Sequence, residues 1–328
     1  MKKNIIVTCS IILSAALLFT SCKKESPKLN ASANETDNLQ VGNNSSCKAT
    51  QIVWGYWYTW DFHYTDKGLA DEWKIDFGYG NVLNFKMTYD KFNKLTEASG
   101  YDAYDNLIIT TSFTYSDKHV ISQKWNDILA GTNLEVLFFY NTKGQLVKED
   151  DNGSGTHVFL TYDNAGNWTR SDYYIGSDIC YSDIYEYGSQ ARDPLLTVSG
   201  VDWPFPFYGG GHFNKLWFSR NLSIVYDDAG NQYVINDLNA SNEDFSTTLQ
   251  NFPASIHYYD ETSQSSFDFS FGYSCDRNSD LANQPSSQNS ANLAANKNTK
   301  SPKPMLLTGA GKSIREQLQD LRKEYSTR

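Results

Sequence analysis

The 328-residue chain has no run of apolar residues long enough to cross a bilayer as a helix. Its best stretch, residues 5–19, falls short of the roughly 20 residues a span needs and includes Thr8, Ser10 and Ser14. Histidine is scarce and scattered: His63, His119, His157, His212 and His257 form neither an HExxH pattern nor a helical pair, so no metal site is expected. A GxSxG elbow is absent too; Gly153-Ser154-Gly155 is turn material. The segment Thr308-Gly309-Ala310-Gly311-Lys312-Ser313 ends like a phosphate-binding loop, but Leu306 stands where its first glycine is required. Cofactor and catalytic residues are therefore not assigned. Basic residues are outnumbered, 28 against 38, and between 47 and 276 the count is 14 against 31, a net charge of −17. A polyanion needs Lys and Arg to displace its counterions, so nucleic acid is excluded as a partner.

What is present begins at the N-terminus. Lys2 and Lys3 precede the short apolar run, which closes on Leu18-Phe19-Thr20-Ser21-Cys22. A charged start, a short apolar centre and small residues at the end are the marks of a secretory signal peptide. The ending resembles the lipobox of bacterial lipoproteins, with Phe19 in place of the commoner Leu. That resemblance implies cleavage after residue 21 and diacylglycerol on the Cys22 sulfur, hence a membrane partner held through lipid. One acyl chain anchors only marginally and two hold durably. Lys23 follows the cysteine, and the lack of Asp there resembles lipoproteins sorted to the outer membrane, on its periplasmic or cell-surface side.

Aromatic residues then divide the chain. Residues 23–46 have none and are rich in Asn, Ser, Glu and Lys; residues 277–304 also have none. Neither segment can bury enough surface to fold, so 22–46 is expected to be a disordered tether and 277–304 a disordered linker. Between them, 47–276 holds all eight Trp and all but one Tyr and one Phe. Residues 305–328 are expected to form a short helix: Ile314, Leu318, Leu321 and Tyr325 make one apolar stripe, and Ser313 and Glu316 suit a capping box. This tail carries nine basic and four acidic residues from 277 onward, a charge of +5 opposite the acidic domain.

The domain repeats itself. Phe85, Met87 and Tyr89 alternate with polar residues, then Asp90-Lys91-Phe92-Asn93 leads to Leu95. Val136, Phe138 and Tyr140 precede Asn141-Thr142-Lys143-Gly144 and Leu146; Val158, Leu160 and Tyr162 precede Asp163-Asn164-Ala165-Gly166 and Trp168. Leu222, Ile224 and Tyr226 precede Asp227-Asp228-Ala229-Gly230-Asn231. Weaker copies start at Tyr64, Tyr101 and Tyr115, the last returning at Ile121. Alternation predicts strands with one buried face. Asp or Asn suits the first position of a type I turn, and Gly or Asn three residues on supplies the positive φ that closes a bulged hairpin. Asn152-Gly153 marks an opposite turn. The fold expected is all-β: an antiparallel meander of repeated hairpins forming a single large sheet, an open barrel or a sandwich, with the short C-terminal helix. The aromatic run Trp54, Tyr56, Tyr58, Trp60, Phe62 and Tyr64 is expected on one face of one strand. Residues 183–216, with three consecutive glycines and two prolines near Trp203, read as a long structured loop.

The Tyr-Asp-x-x-Gly-x-Leu series over residues 51–276 resembles the YD repeats of RHS proteins, and more closely a group of Gram-negative lipoproteins built of similar hairpins. The resemblance implies a hairpin shell and no particular chemistry. Three cysteines remain after processing, Cys47, Cys180 and Cys275, enough for one disulfide whose pairing is open. Trp57, Trp203 and Trp217 are the candidates for exposed, ligand-stacking rings. The expected role is a non-catalytic binding or structural one, with a glycan or another envelope protein as partner. The alternative is a glycan hydrolase using two carboxylates, and its mark would be a deep pocket holding two close carboxyls.

Overall fold

The computed structural model describes residues 47–55, 58–78, 80–198, 215–248, 251–275 and 314–326. The signal peptide, Cys22, the tether, the 277–304 linker, Ser313, Trp57 and Trp203 lie outside the described residues. In chain order the strands are β1 (Cys47–Trp54), β2 (Tyr58–Tyr64), β3 (Ala70–Asp76), β4 (Val82–Tyr89), β5 (Leu95–Tyr101), β6 (Leu107–Ser116), β7 (His119–Asp127), β8 (Thr132–Tyr140) and β9 (Leu146–Asp151). They continue as β10 (Thr156–Tyr162), β11 (Trp168–Ile175), β12 (Asp178–Glu186), β13 (Arg220–Tyr226), β14 (Gln232–Asn239), β15 (Phe245–Thr247), β16 (Pro253–Asp260) and β17 (Ser265–Cys275). One helix follows, α1 (Ile314–Ser326).

Every strand from β1 to β14 pairs antiparallel with the next; β14 pairs with β16, β16 with β17, and β17 with β1. The expected meander is therefore a closed barrel of sixteen strands, with β15 added beside β16. It is neither an open barrel nor a sandwich. Closure removes the free strand edges that an open meander would present. The seam between first and last strands is also covalent: Cys47 faces Cys275 in register and the two form a disulfide, which settles the open pairing and leaves Cys180 a buried thiol.

The turns show why the sequence repeats. In the loops starting at Asp90, Asp102, Asn141, Asp163 and Asp227, the first residue's N–H donates to the carbonyl four residues on and its carbonyl accepts from the residue three on. Its side-chain oxygen accepts N–H groups from within the same loop, as Asp90 does from Phe92 and Lys94, and Asn141 from Lys143 and Gln145. The fourth residue has positive φ: Asn93 at 63°, Gly144 at 77°, Gly166 at 89°, Gly230 at 81°. Thr65 makes the same backbone pair with Leu69 and Gly68.

The tyrosines before the turns at Thr65, Asp90, Asn141 and Asp163, and likewise Tyr187 and Tyr273, have a separate task. Tyr64 Oη donates to the Ala49 carbonyl (2.6 Å), Tyr140 to Val120 (2.8 Å), Tyr162 to Leu146 (2.8 Å) and Tyr273 to Pro253 (2.8 Å). Tyr89 and Tyr187 donate likewise to Ala70 and Trp168. In each case the accepting residue immediately precedes the extra residue of a β-bulge, where strand pairing shifts register. Each tyrosine thus supplies a hydrogen bond at an irregularity of the neighbouring hairpin, where the ladder is disrupted. The bulge also explains one misplacement: at the Tyr115 copy the buried residue is Val120, while Ile121, expected to return to the core, is the extra residue and is exposed.

The barrel interior is packed with side chains. Trp73 stacks on Phe62 and Phe85, Phe85 meets Trp125, and Tyr258 and Trp54 both pack on Phe269. Gly100 faces Phe85 on one side and Ile109 on the other, and a β-carbon there would come within 3.0 Å of the Phe85 ring. The run from Trp54 to Tyr64 is not one strand: the chain turns at Gly55 (φ 55°), and Trp54 pairs with Tyr58 across the hairpin. The long insertion after β12 contains a 3-10 turn (Pro194–Thr197), and Thr197 Oγ1 accepts the Ala49 N–H at 2.7 Å.

One repeat is turned the other way. On β13, Ser223 and Val225 face inward opposite Asp183 and Tyr181, so Leu222, Ile224 and Tyr226 take the outer face rather than the core face expected of them; Ile224 and Tyr226 are still buried there, with Tyr226 against Ser182 and Arg170. Helix α1 packs on β12 and β13 from the inner side: Leu318 is fully buried, Tyr325 lies against Tyr233, the register partner of inward Val225, and Leu321 joins the same interior cluster. Arg322 reaches the carbonyl of Asp227 and the carboxylate of Asp228 (3.1 Å). The apolar stripe read from the sequence is the docking face, and its seat is the inward apolar surface around Val225 and Tyr233. A 13-residue helix, marginal alone in water, gains its stability there.

Burial raises the hydroxyl pKa values of Tyr64, Tyr89, Tyr162 and Tyr273 above the usual range. In the unfolded chain these groups titrate near pH ~10. Their raised folded values contribute stability that is fully present below that pH and is lost as pH rises through 10 toward the folded values. Urea unfolding should therefore show a midpoint that falls between about pH 9 and 11, by of order 1 kcal/mol per pH unit for each such tyrosine. A midpoint unchanged over that interval would contradict the buried tyrosine hydroxyls.

Candidate functional site

Among the buried polar groups of the interior, Asp183 centres a hydrogen-bonded cluster. Asp183 Oδ1 accepts hydrogen bonds from Tyr181 Oη and Ser223 Oγ, both at 2.7 Å, and burial raises the carboxyl's pKa. Tyr173, Tyr181 and Tyr185, all buried, surround it on the strands that frame it. Its hydrogen bonds satisfy it within the core, and a buried polar group so satisfied is a structural element.

The outer face is different. A groove of about 530 Å³ lies over β5 to β8. Strand register builds its floor in rows: Glu97, Ser112, Lys124 and Glu135 stand side by side on four successive strands, and Thr110, Asn126 and Asn133 make the next row. Asn152 closes it from beyond β9. Glu135 is its best-held group: Ser122 Oγ donates to Oε1 at 3.0 Å, Asn152 Nδ2 to Oε2 at 3.0 Å, and Lys124 Nζ lies 3.9 Å away. The Asn152 and Ser122 hydrogen bonds, then the Lys124 charge, hold its carboxyl below the ordinary range. Glu97 and Glu135 are three strands apart, roughly 14 Å at the usual spacing of about 4.8 Å. The two carboxyls of a glycosidase stand within about 9.5 Å of each other. With Glu135 held ionised and Glu97 out of range, the groove presents hydrogen-bonding groups rather than an acid–base pair.

Beside the groove, the same face carries exposed aromatic rings. Phe139 of β8 is 44 % exposed and Phe159 of β10 is 43 % exposed. Lys148 of β9 faces both in register, its ammonium 5.3 Å and 5.8 Å from the two ring centres and 2.5 Å from Asp150. His157 stacks on Tyr174 at 5.5 Å, and Phe159 meets Tyr174 edge-on. Arg170 and Asp172 pair alongside at 2.7 Å.

Of the rings singled out from the sequence, Trp217 is in the core. It is 3 % exposed and packs on Trp54, Phe218 and Phe271, so it cannot stack on a ligand. The signal that does mark the exposed rings is local: Phe139 and Phe159 sit between Phe138 and Tyr140, and between Val158 and Leu160, on the polar phase of alternating strands. The histidines stay apart; His63 pairs with Asp71 (2.7 Å) and His257 with Asp268 (2.8 Å). Among the described residues no three metal-binding side chains converge.

No family model matches the chain, and no curated protein matches it in sequence. Among solved structures it is similar to a porin-like protein from Bacteroides uniformis, at 11 % identity and a TM-score of 0.44 over 70 % of this chain and 95 % of that one. It is also similar to a chain of the TcdB2-TccC3-Cdc42 crystal structure, at 12 % identity and a TM-score of 0.18, covering 64 % of this chain and 10 % of that one. A Photorhabdus luminescens Tc holotoxin pore gives 12 % identity and a TM-score of 0.17 over 62 % and 14 %. These are loose likenesses of strand arrangement, and no functional conclusion rests on them.

Site-resolved carboxyl titration by NMR should find Glu135 ionising below the ordinary glutamate value. Asn152→Ala should move it back up. A Glu135 that titrates normally in the unaltered protein would remove the hydrogen-bonded floor from the groove.

Proposed function

We propose that this protein is a lipid-anchored protein of the cell envelope, held by acylated Cys22 with its barrel outside the bilayer, and that it binds a ligand or partner on the outer face without catalysis. The observation that carries this reading is the polarity of the barrel. A membrane-spanning barrel turns an apolar band toward lipid and encloses a polar interior. Here the interior is the packed aromatic core, and outward strand positions such as Asp71, Lys74, Lys86, Lys124, Glu135, Asp150 and Arg170 are charged. Burying those charges in hydrocarbon would cost several kcal/mol each, of order 2–4 for Lys or Arg at mid-depth. In this reading the membrane attachment is the N-terminal lipid, on the outer-membrane side that Lys23 suggests.

A hydrolase reading receives no support from the groove, whose carboxyls lie too far apart to act as a pair. What the groove offers is a polar, partly preorganised surface next to exposed rings, as binding sites do.

Cys22→Ala should move the protein from the membrane fraction to the soluble fraction with its β-sheet circular dichroism intact. A folded variant that stays with membranes would mean that the barrel itself contacts lipid, and the reading would fail.

A further inference from the structure

The rings of Phe139 and Phe159 have no folding task. Their strand neighbours Phe138, Val158 and Leu160 already fill the interior, and the two phenylalanines stand outward among Lys148, Asp150, Arg170 and Asp172. Exposed apolar groups framed by polar residues mark binding surfaces. The two rings are two strands apart, about 10 Å at the usual strand spacing, close to the length of a disaccharide. Along β8 the outward positions run Asn133, Glu135, Leu137 and Phe139, so the polar groove and the aromatic platform are one continuous track.

Three observations narrow the occupant. Strands β5 to β11 are each paired on both sides, so an extended peptide finds no free edge along this track. Every cation of the track has an acidic partner, Lys124 with Glu135, Lys148 with Asp150 and Arg170 with Asp172, and Glu97 adds one more carboxylate, so the track has no surplus cation for an anionic ligand. The apolar part is two half-exposed rings, far below the roughly 800 Å² per partner of a standard protein interface. A neutral polyhydroxylated chain satisfies all three. Its C–H faces lie on the rings, and its hydroxyls find carboxylates, amides, hydroxyls and the Lys148 and Arg170 donors.

We propose that the outer face of β8 to β11, continuous with the groove over β5 to β8, binds a neutral glycan of at least two sugar units, with Phe139 and Phe159 as its stacking platform. This rests on the reading of the barrel as an outward-facing binding domain and adds the chemical class of what it binds.

The test is affinity electrophoresis of the full mature chain through gels containing a mixed-linkage β-glucan, starch, mannan or xylan, with heparin as the anionic control. At least one neutral polysaccharide should retard the protein, and heparin should not. Phe139→Ala with Phe159→Ala should weaken that retardation about tenfold, as loss of a central ring contact does, with the fold retained because both rings lie outside the core. Phe92→Ala, on a distant turn and 70 % exposed, should leave it unchanged. Retardation by none of the four, retardation by heparin alone, or retardation indifferent to the paired substitution would each overturn the proposal. Release of Cys22→Ala from membranes is read separately, so failure of the glycan proposal and failure of the envelope reading give different results.

Discussion

The structure depends on a hydrogen bond from a tyrosine hydroxyl to the carbonyl beside its neighbour's β-bulge. A turn closed by a positive-φ residue leaves its hairpin with an extra residue on one strand, and the ladder is interrupted there. Tyr64, Tyr89, Tyr140, Tyr162, Tyr187 and Tyr273 each answer that interruption in the adjacent hairpin. After Tyr89, Tyr140 and Tyr162 the next residue is Asp or Asn, and it organises its own turn through its side chain. The pair of residues that defines the repeat therefore divides two tasks: one closes a hairpin, the other fastens that hairpin to the one before it. Because the fastening runs from hairpin to hairpin, the meander is joined along a rim as well as through its strands.

The hairpins were legible in the sequence because both tasks use residues of fixed type at fixed spacing. The turns at Asp90, Asn141, Asp163 and Asp227 lie where their motifs put them. Closure was not legible. It depends on β17 meeting β1 across most of the chain, and strand alternation carries no record of which partner lies beyond each edge. Nor was the reversal of β13. Its alternation of Leu222, Ile224 and Tyr226 looks like that of the other copies, and only the register against β12 shows that Ser223 and Val225 hold the inner face. The helix stripe itself was readable, since i, i+4, i+7 spacing has one physical use.

The candidate site was less visible for a related reason. The rings singled out from the sequence were tryptophans, yet a large apolar ring is also drawn into a core, and Trp217 went there. Phe139 and Phe159 are informative by phase: each follows or precedes an inward apolar residue, so each must face out. The polar groove needed coordinates, because Glu97, Ser112, Lys124 and Glu135 come from four strands and become a row only in register.

The measurement that bears most directly on this account is the unfolding free energy of Tyr140→Phe and Tyr162→Phe at neutral pH. Phenylalanine keeps the ring and deletes only the hydroxyl, leaving the Val120 or Leu146 carbonyl without that partner. The account predicts a loss of about 1–3 kcal/mol for each, the cost of an unsatisfied group in a partly buried place. Losses within about 0.5 kcal/mol, the range of ordinary surface changes, would contradict it and return the tyrosines to the role of ring packing alone.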